Sequence, residues 1–282
     1  MKLAVFYEPS PGTVGDYLLR AFISLGHTVE HFPTSQAARC VGGYDVYLRI
    51  DHGSYDHDLP ERLRPRAFYI VDTHLRKSWR SIQRQTPRYD ILFFVQRVAA
   101  QRFRRAFWTP LGCDLEVHGA QPQAPEYDVA FIGNDGGVPR KFYLQELRER
   151  YPRSFIGKAP HTEMARIYSR AKIGFHYIEC TSPLQDMISM RVYEVLAAKR
   201  LLLANALEPQ DYELLGLRNR QEVVLYHNPR ELFELLGYYL DHQDERERIA
   251  AAGHACVVER HTYRHRAEQM TDILHKELGV PR

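Results

Sequence analysis

The chain alternates short apolar runs with polar stretches of helical or turn-like pattern. Lys2–Tyr7, Thr28–Phe32, Val46–Ile50, Ala67–Val71, Ile91–Val95 and Phe107–Pro110 have strand length, and helix-length or loop segments separate most of them. A helix is expected from about Asp16 to Leu25, with Gly26 as its C′ residue. The segment Gly119–Glu126, with its prolines and small residues, breaks the pattern and is the best linker candidate. The alternation then restarts. Strands are expected at Tyr127–Ile132, Ser154–Ile156, Ile173–Tyr177, Leu201–Ala204 and Glu222–Tyr226. Helices are expected at Arg140–Arg150, His161–Arg170, Arg191–Ala198, Pro229–Asp241, Asp244–Glu259 and Tyr263–Leu278. Strands alternating with helices predict βαβ units and parallel sheets. The expected class is α/β, with two Rossmann-like domains facing an interdomain cleft. Residues 1–120 form the first domain, 121–262 the second, and 263–282 a closing helix expected to pack back toward the first.

Composition narrows this picture. At 282 residues the chain exceeds one average domain, and 44% hydrophobic residues can fill real cores. No apolar run approaches the roughly 20 residues of a membrane span. The apolar part of Met1–Tyr7 is too short for a signal peptide and reads as a first strand. Cys40, Cys113, Cys180 and Cys256 are far apart and form no CxxC pair, so buried reduced thiols and a cytoplasmic location are expected. The net charge of +3 hides an asymmetry: between Arg62 and Arg105 twelve Lys or Arg residues face only Asp72 and Asp90. Such a stretch is either a solvated face or a surface for an anionic acceptor or the acidic inner leaflet of a membrane. It carries no aromatic-interleaved recognition motif, which argues against nucleic acid.

The candidate chemistry centres on Asp186 and Glu194, eight positions apart at the start of an apolar helix that runs into a buried strand. In an open α/β sheet this juncture lies near the carboxyl ends of the strands, where ligands bind. Arg191 lies one turn before Glu194. A carboxylate can bond a ribose diol and a guanidinium can hold a diphosphate in a fork, which together suggest a nucleotide-sugar site. The loop from Gly133 to Lys141 follows a strand and opens a helix, so backbone amides and the helix N-terminus can meet an anion there. It lacks the dinucleotide and Walker fingerprints. Arg140 favours phosphate, because an unpaired cation is unfavourable at a helix N-terminus. Lys158 repeats the design after the next strand, and His176 ends a further one as either a satisfied histidine or a ligand contact. In the first half Asp72 and His74 end a strand, where either can serve as a general base or simply cap a helix. The loop Asp51–Asp58 is rich in metal-ligand types, but adjacent residues on one loop cannot all converge; no metal is expected.

From about Ala67 onward the chain resembles the GT-B glycosyltransferases, specifically the spore-protein CgeB/YkvP type among group 1-like glycosyl transferases. The residues that carry the resemblance are Tyr69-Ile-Val-Asp72-Thr-His74, Phe107–Asp114, Tyr127–Gly133, Ile167–Gly174, Arg191-Val-Tyr-Glu194-Val-Leu-Ala, Glu245–Gly253 and His261–Arg266. The resemblance implies an acceptor-binding first half and a second half that binds a nucleoside-diphosphate sugar of UDP or TDP type. It implies a ribose contact for Glu194. The family's first acid of an E-x7-E pair falls on Asp186, one methylene shorter. Arg140 and Lys158, with Arg191 as a third candidate, would neutralise the diphosphate, and no catalytic metal or other cofactor would be needed. The expected reaction is sugar transfer to a hydroxyl acceptor, with Asp72 or His74 as base if the reaction inverts. The alternatives are a nucleotide-sugar epimerase or hydrolase, or a non-catalytic nucleotide-sugar-binding assembly protein.

Overall fold

The computed structural model describes residues 1–178, 188–206 and 209–282. The strands are β1 (Lys2–Phe6), β2 (Thr28–Phe32), β3 (Val46–Ile50), β4 (Arg66–Ile70), β5 (Ile91–Phe94), β6 (Ala106–Trp108), β7 (Tyr127–Ile132), β8 (Phe155–Gly157), β9 (Ala171–His176), β10 (Leu201–Asn205) and β11 (Val224–Tyr226). The helices are α1 (Val14–Ser24), α2 (Arg76–Gln85), α3 (Arg97–Ala100), α4 (Leu115–His118), α5 (Arg140–Arg150) and α6 (His161–Ser169). They continue with α7 (Met190–Ala197), α8 (Pro209–Leu214), α9 (Pro229–Asp241), α10 (Gln243–Arg260) and α11 (Tyr263–Leu278).

Two compact units emerge. One holds Met1–Leu111 with Tyr263–Arg282, around a six-stranded sheet in the order β2-β1-β3-β4-β5-β6. All its pairings are parallel. Parallel strands are covered on both faces, so they read as nearly continuous apolar runs, and β3, β4 and β5 are buried along their whole length. Helix α11 belongs to this unit, where it packs on α1 and stacks Tyr263 against Tyr17 at 5.2 Å between ring centres. The division falls after Leu111, ahead of the Gly119–Glu126 segment, so residues 112–120 go with the second unit.

One buried cation organises the loops above the first sheet. Arg49 on β3 is fully buried and donates to Asp58 Oδ1 at 3.0 Å, Gln85 Oε1 at 2.8 Å and the Ser54 carbonyl at 3.2 Å. Its guanidinium lies 4.7 Å from the Phe68 ring centre. A buried charge is tolerated only when paired and bonded in this way. Through these bonds Arg49 ties the loop after β3 to the end of α2, a helix that the apolar pattern did not reveal.

The second unit holds 112–178 and 188–262, around a parallel five-stranded sheet in the order β11-β10-β9-β7-β8. Val129, Ile173, Leu201 and Leu203 from the strands meet Leu144, Leu232 and Ile249 from the helices in one core. Helix α7 lies directly on β9 at Gly174, where an added Cβ would come within 2.4 Å of Val195 Cγ1. The absent side chain sets how closely the helix carrying Glu194 approaches the sheet.

Candidate active site

In the second unit a chain of polar contacts runs along the carboxyl side of β7 and β9. Arg191, in the first turn of α7, donates from Nε to the Ile132 carbonyl at 3.0 Å and from NH1 to Glu194 Oε2. Glu194 is only 2% exposed. Its other oxygen, Oε1, is buried without a hydrogen-bond partner and stands 3.7 Å from His118 Nε2. His118 Nδ1 accepts the Asp114 amide at 3.0 Å, which leaves the ring proton on Nε2, the nitrogen near Glu194. Glu194 is thus a clamped carboxylate with one acceptor oxygen left over. Arg191, expected on phosphate, has its guanidinium engaged by Ile132 and Glu194.

His176, the last residue of β9, is buried, and its Nε2 lies 3.1 Å from Ser189 Oγ. Burial, reinforced by Arg191 and Arg140, pushes its pKa down to about 3. It is a neutral hydrogen-bonding group throughout the ordinary pH range and no proton shuttle. Arg140 opens α5 and folds back over Gly136: a Cβ on that glycine would sit 3.0 Å from Arg140 NH1. Gly136 also has φ +66°, so glycine serves there twice. Arg140 Nε is buried without a partner. An unpaired guanidinium nitrogen at a helix N-terminus is a ready seat for an anion. The Gly133 amide donates to the Gly157 carbonyl at 2.9 Å and joins β7 to β8, whose end presents the exposed Lys158. Asp186 lies outside the described residues.

The first unit gathers a different set at the carboxyl ends of β3 and β4. Asp51 is buried, and its Oδ2 accepts from the Val71 amide at 3.1 Å, the Asp72 amide at 3.0 Å and the Tyr55 hydroxyl at 2.8 Å. Gly53, at φ +83°, brings the loop so close that its Cβ would stand 3.4 Å from Asp72 Oδ2. Burial, then the charge of Asp51, raises the Asp72 pKa to about 6. Burial lowers the pKa of both His74 and His52, with Asp51 opposing it in each case. His52 Nε2, Thr73 Oγ1 and His74 Nδ1 are all buried without partners. A carboxyl poised near neutrality beside neutral imidazoles can take and pass a proton.

From sequence Asp72 was paired with His74, Asp51 and His52 were weighed only as metal ligands, and His118 was not singled out. Asp51 and His52 follow β3 directly, and that strand-end position was the available signal. His118 lay near the presumed linker with nothing to mark it. Among the described residues no three His, Cys, Asp or Glu side chains are grouped to hold a metal ion, and no helix is long and apolar enough to cross a membrane. Cys40, Cys113 and Cys256 are buried.

Comparison with known proteins adds the following. A family model described as glycosyl transferase-like matches residues 101–272. No curated protein matches in sequence. Among solved structures, an alpha-glucosyltransferase in complex with UDP and a 13-mer DNA is similar, with a TM-score of 0.73 at 11% identity over 97% of this chain and 99% of that one. Anabaena Alr3699/HepE in complex with UDP and glucose gives 0.70 at 10% identity over 97% and 99%. The sucrose-phosphate synthase of Thermosynechococcus elongatus gives 0.68 at 12% identity over 99% of each chain. At these identities the likeness speaks for the fold, which is GT-B.

Proposed function

Because the chain belongs to the glycosyl transferase-like family, and is a glycosyltransferase by that membership, we propose that it moves a sugar from a UDP- or TDP-type donor to an acceptor hydroxyl. The observation that carries this reading is two unsatisfied buried groups near the carboxyl ends of the strands in the second unit: Arg140 Nε, a cationic donor, and Glu194 Oε1, an anionic acceptor. Buried polar atoms in folded proteins nearly always have partners, so two of opposite sign imply a ligand with both an anionic and a hydroxyl part. A nucleoside diphosphate has both. In this reading Glu194 accepts from the ribose, Arg140 and Lys158 stabilise the departing diphosphate, and Gly133 and His176 line its seat. Arg191 acts chiefly by holding Glu194, and Asp186 contacts the sugar. The UDP in the solved structures of the alpha-glucosyltransferase and Alr3699/HepE supports the choice of nucleotide.

In the first unit Asp72 serves as the base for an inverting transfer, and His74 orients the acceptor hydroxyl. The cationic groups around the diphosphate do the work that a metal ion does elsewhere. The basic 62–105 region is proposed to meet an anionic acceptor or an acidic leaflet at the inner face of the membrane, in a protein of the cytoplasm. Several of its cations are engaged: Arg64 pairs with Asp90, Arg88 with Asp58 and Arg105 with Glu277. Arg76, Lys77, Arg80 and Arg84, exposed on α2, and the exposed Arg102 and Arg104 are available for such a contact.

Calorimetric titration with UDP tests the donor reading. Wild type should bind, and Glu194→Gln and Arg140→Gln should each bind at least about tenfold more weakly. Failure of wild type to bind, or equal binding by both variants, would sink the assignment.

A further inference from the structure

The second unit has a cavity of about 430 Å³ at the amino edge of its sheet. Pro125, just ahead of β7, Lys172 at the start of β9, Lys199 and Arg200 just ahead of β10, and Arg246 and Glu247 on α10 line it. Four of these side chains are cations and one is an acid. Because β7, β9 and β10 are parallel neighbours, Gly133 and His176 lie at their opposite ends, about 17 Å away at roughly 3.3 Å per residue. The cavity is therefore separate from the diphosphate residues proposed above.

Of its cations Arg246 is buried, Lys172 and Arg200 are half-buried and Lys199 is exposed at the rim. Arg246 is 6% exposed and donates to the Tyr239 carbonyl at 2.6 Å and the Leu240 carbonyl at 3.1 Å. Lys172 bonds Asp128 at 2.7 Å. Arg200 donates to the Ser169 carbonyl, but its Nε is buried without a partner. Burial disfavours the charge on Arg200, Glu247 offsets part of this, and the neighbouring Arg246 adds to it. The two guanidinium groups carry like charge, and Glu247 offsets part of the burial penalty on each. Lys199 has φ +57°, a left-handed conformation that glycine adopts without strain and lysine does not. A helix end that favours glycine here carries a cation instead.

We propose that this cavity is a second anion site, which takes the phosphate or diphosphate of a small molecule. Arg200 Nε and the Lys199 ammonium bond the anion, and Arg246 supplies buried positive charge. The remaining volume suits the body of a metabolite-sized ligand. Lys199 and Arg200 directly follow α7, whose first turns carry Arg191 and Glu194, so the occupant would bear on the helix that holds the donor-side carboxylate.

Inorganic pyrophosphate, titrated calorimetrically into the full chain, is the probe. Arg140→Gln together with Lys158→Gln removes the two donor-side cations and isolates the new site; this background should still bind pyrophosphate. Adding Lys199→Gly and Arg200→Gln to that background should weaken binding about tenfold or more. Lys199→Gly relieves the left-handed strain, so by itself it should fold with an unchanged or higher Tm, and it keeps the test valid if the Arg200 variant does not fold. Absence of binding by that background, or undiminished binding after the cavity substitutions, overturns the proposal. Neither result depends on whether UDP binds.

Discussion

The carboxyl edges of the two sheets are built from the same strand-and-helix grammar and carry opposite chemistry. The first presents carboxyls and neutral imidazoles, with Asp51 and Asp72 beside His52 and His74, and a buried cation, Arg49, is held by Asp58 and Gln85. The second presents Arg140, Lys158 and a buried carboxylate, Glu194, clamped by Arg191, and depresses His176 to about 3. Burial drives both departures from ordinary behaviour, and the charged neighbours add to it. Asp51 beside Asp72 reinforces the rise to about 6, while Arg191 and Arg140 beside His176 reinforce the fall that keeps the imidazole neutral. One edge is suited to moving a proton near neutrality and the other to stabilising negative charge that develops on a leaving group. A shared fold therefore says little about what each edge does; the few charges placed at the strand ends decide it.

The largest effect that would break this contrast is the loss of Asp72. Asp72→Asn should lower kcat by about 10²–10⁴, the usual worth of a positioned base, and leave UDP affinity unchanged. In wild type kcat/KM should fall about tenfold per pH unit below about 6, as the carboxyl takes up its proton. The same substitution should stabilise the fold. A carboxyl raised from 3.8 to about 6 penalises the folded state fully above about pH 6 and not at all below about pH 4. Asp72→Asn should thus gain ~2 kcal/mol at pH 8, with the gain gone at pH 4, as read by urea unfolding. A variant that keeps wild-type kcat, or gains no stability at pH 8, contradicts the division between the edges.

On the cationic edge the sharper probe is distance. Gly174→Ala pushes a methyl into Val195 and lifts α7, so it should cost about 1–3 kcal/mol of stability. Moving Glu194 with the helix should weaken UDP binding as well, and less than Glu194→Gln does. Were UDP affinity unchanged in a clearly destabilised Gly174→Ala, the position of α7 would not govern the donor side.

How much of this was legible beforehand depends on range. Both parallel sheets were readable because strands covered on two faces are runs of apolar residues, as in Val46–Ile50 and Leu201–Ala204. Helix α2 was not readable, because Arg-Lys-Ser-Trp-Arg-Ser-Ile-Gln-Arg-Gln offers little apolar periodicity and buries Ser78 and Gln85 alongside Ile82. Of the site, Glu194, Arg140 and Asp72 could be picked out by where they stood relative to strand ends and helix starts. Asp51 could not, since its meaning lies in the amides of residues 71 and 72, which only the pairing of β3 with β4 brings to it. The role of Arg191 was half visible: its place one turn from Glu194 was plain, but its bond to the Ile132 carbonyl was not.

The smallest expected effect concerns the basic face of α2. On α2, Arg76, Arg80 and Arg84 recur every fourth residue beside Lys77, and α2 carries no acid. Trp79 on α2 and Phe103 meet at 5.8 Å, so Arg102 and Arg104, both exposed, extend the same surface. These residues are not among the causes that shift Asp72 or His74, so their removal should leave kcat nearly untouched. Reversing Arg80 and Arg84 to Glu should weaken co-sedimentation with vesicles rich in phosphatidylglycerol several-fold at low salt. The difference from wild type should shrink as salt shortens the Debye length from about 30 Å at 0.01 M to about 8 Å at 0.15 M. Vesicle binding indifferent to both salt and the reversals would make α2 a solvated face, and the chemistry would then rest on the two strand edges alone.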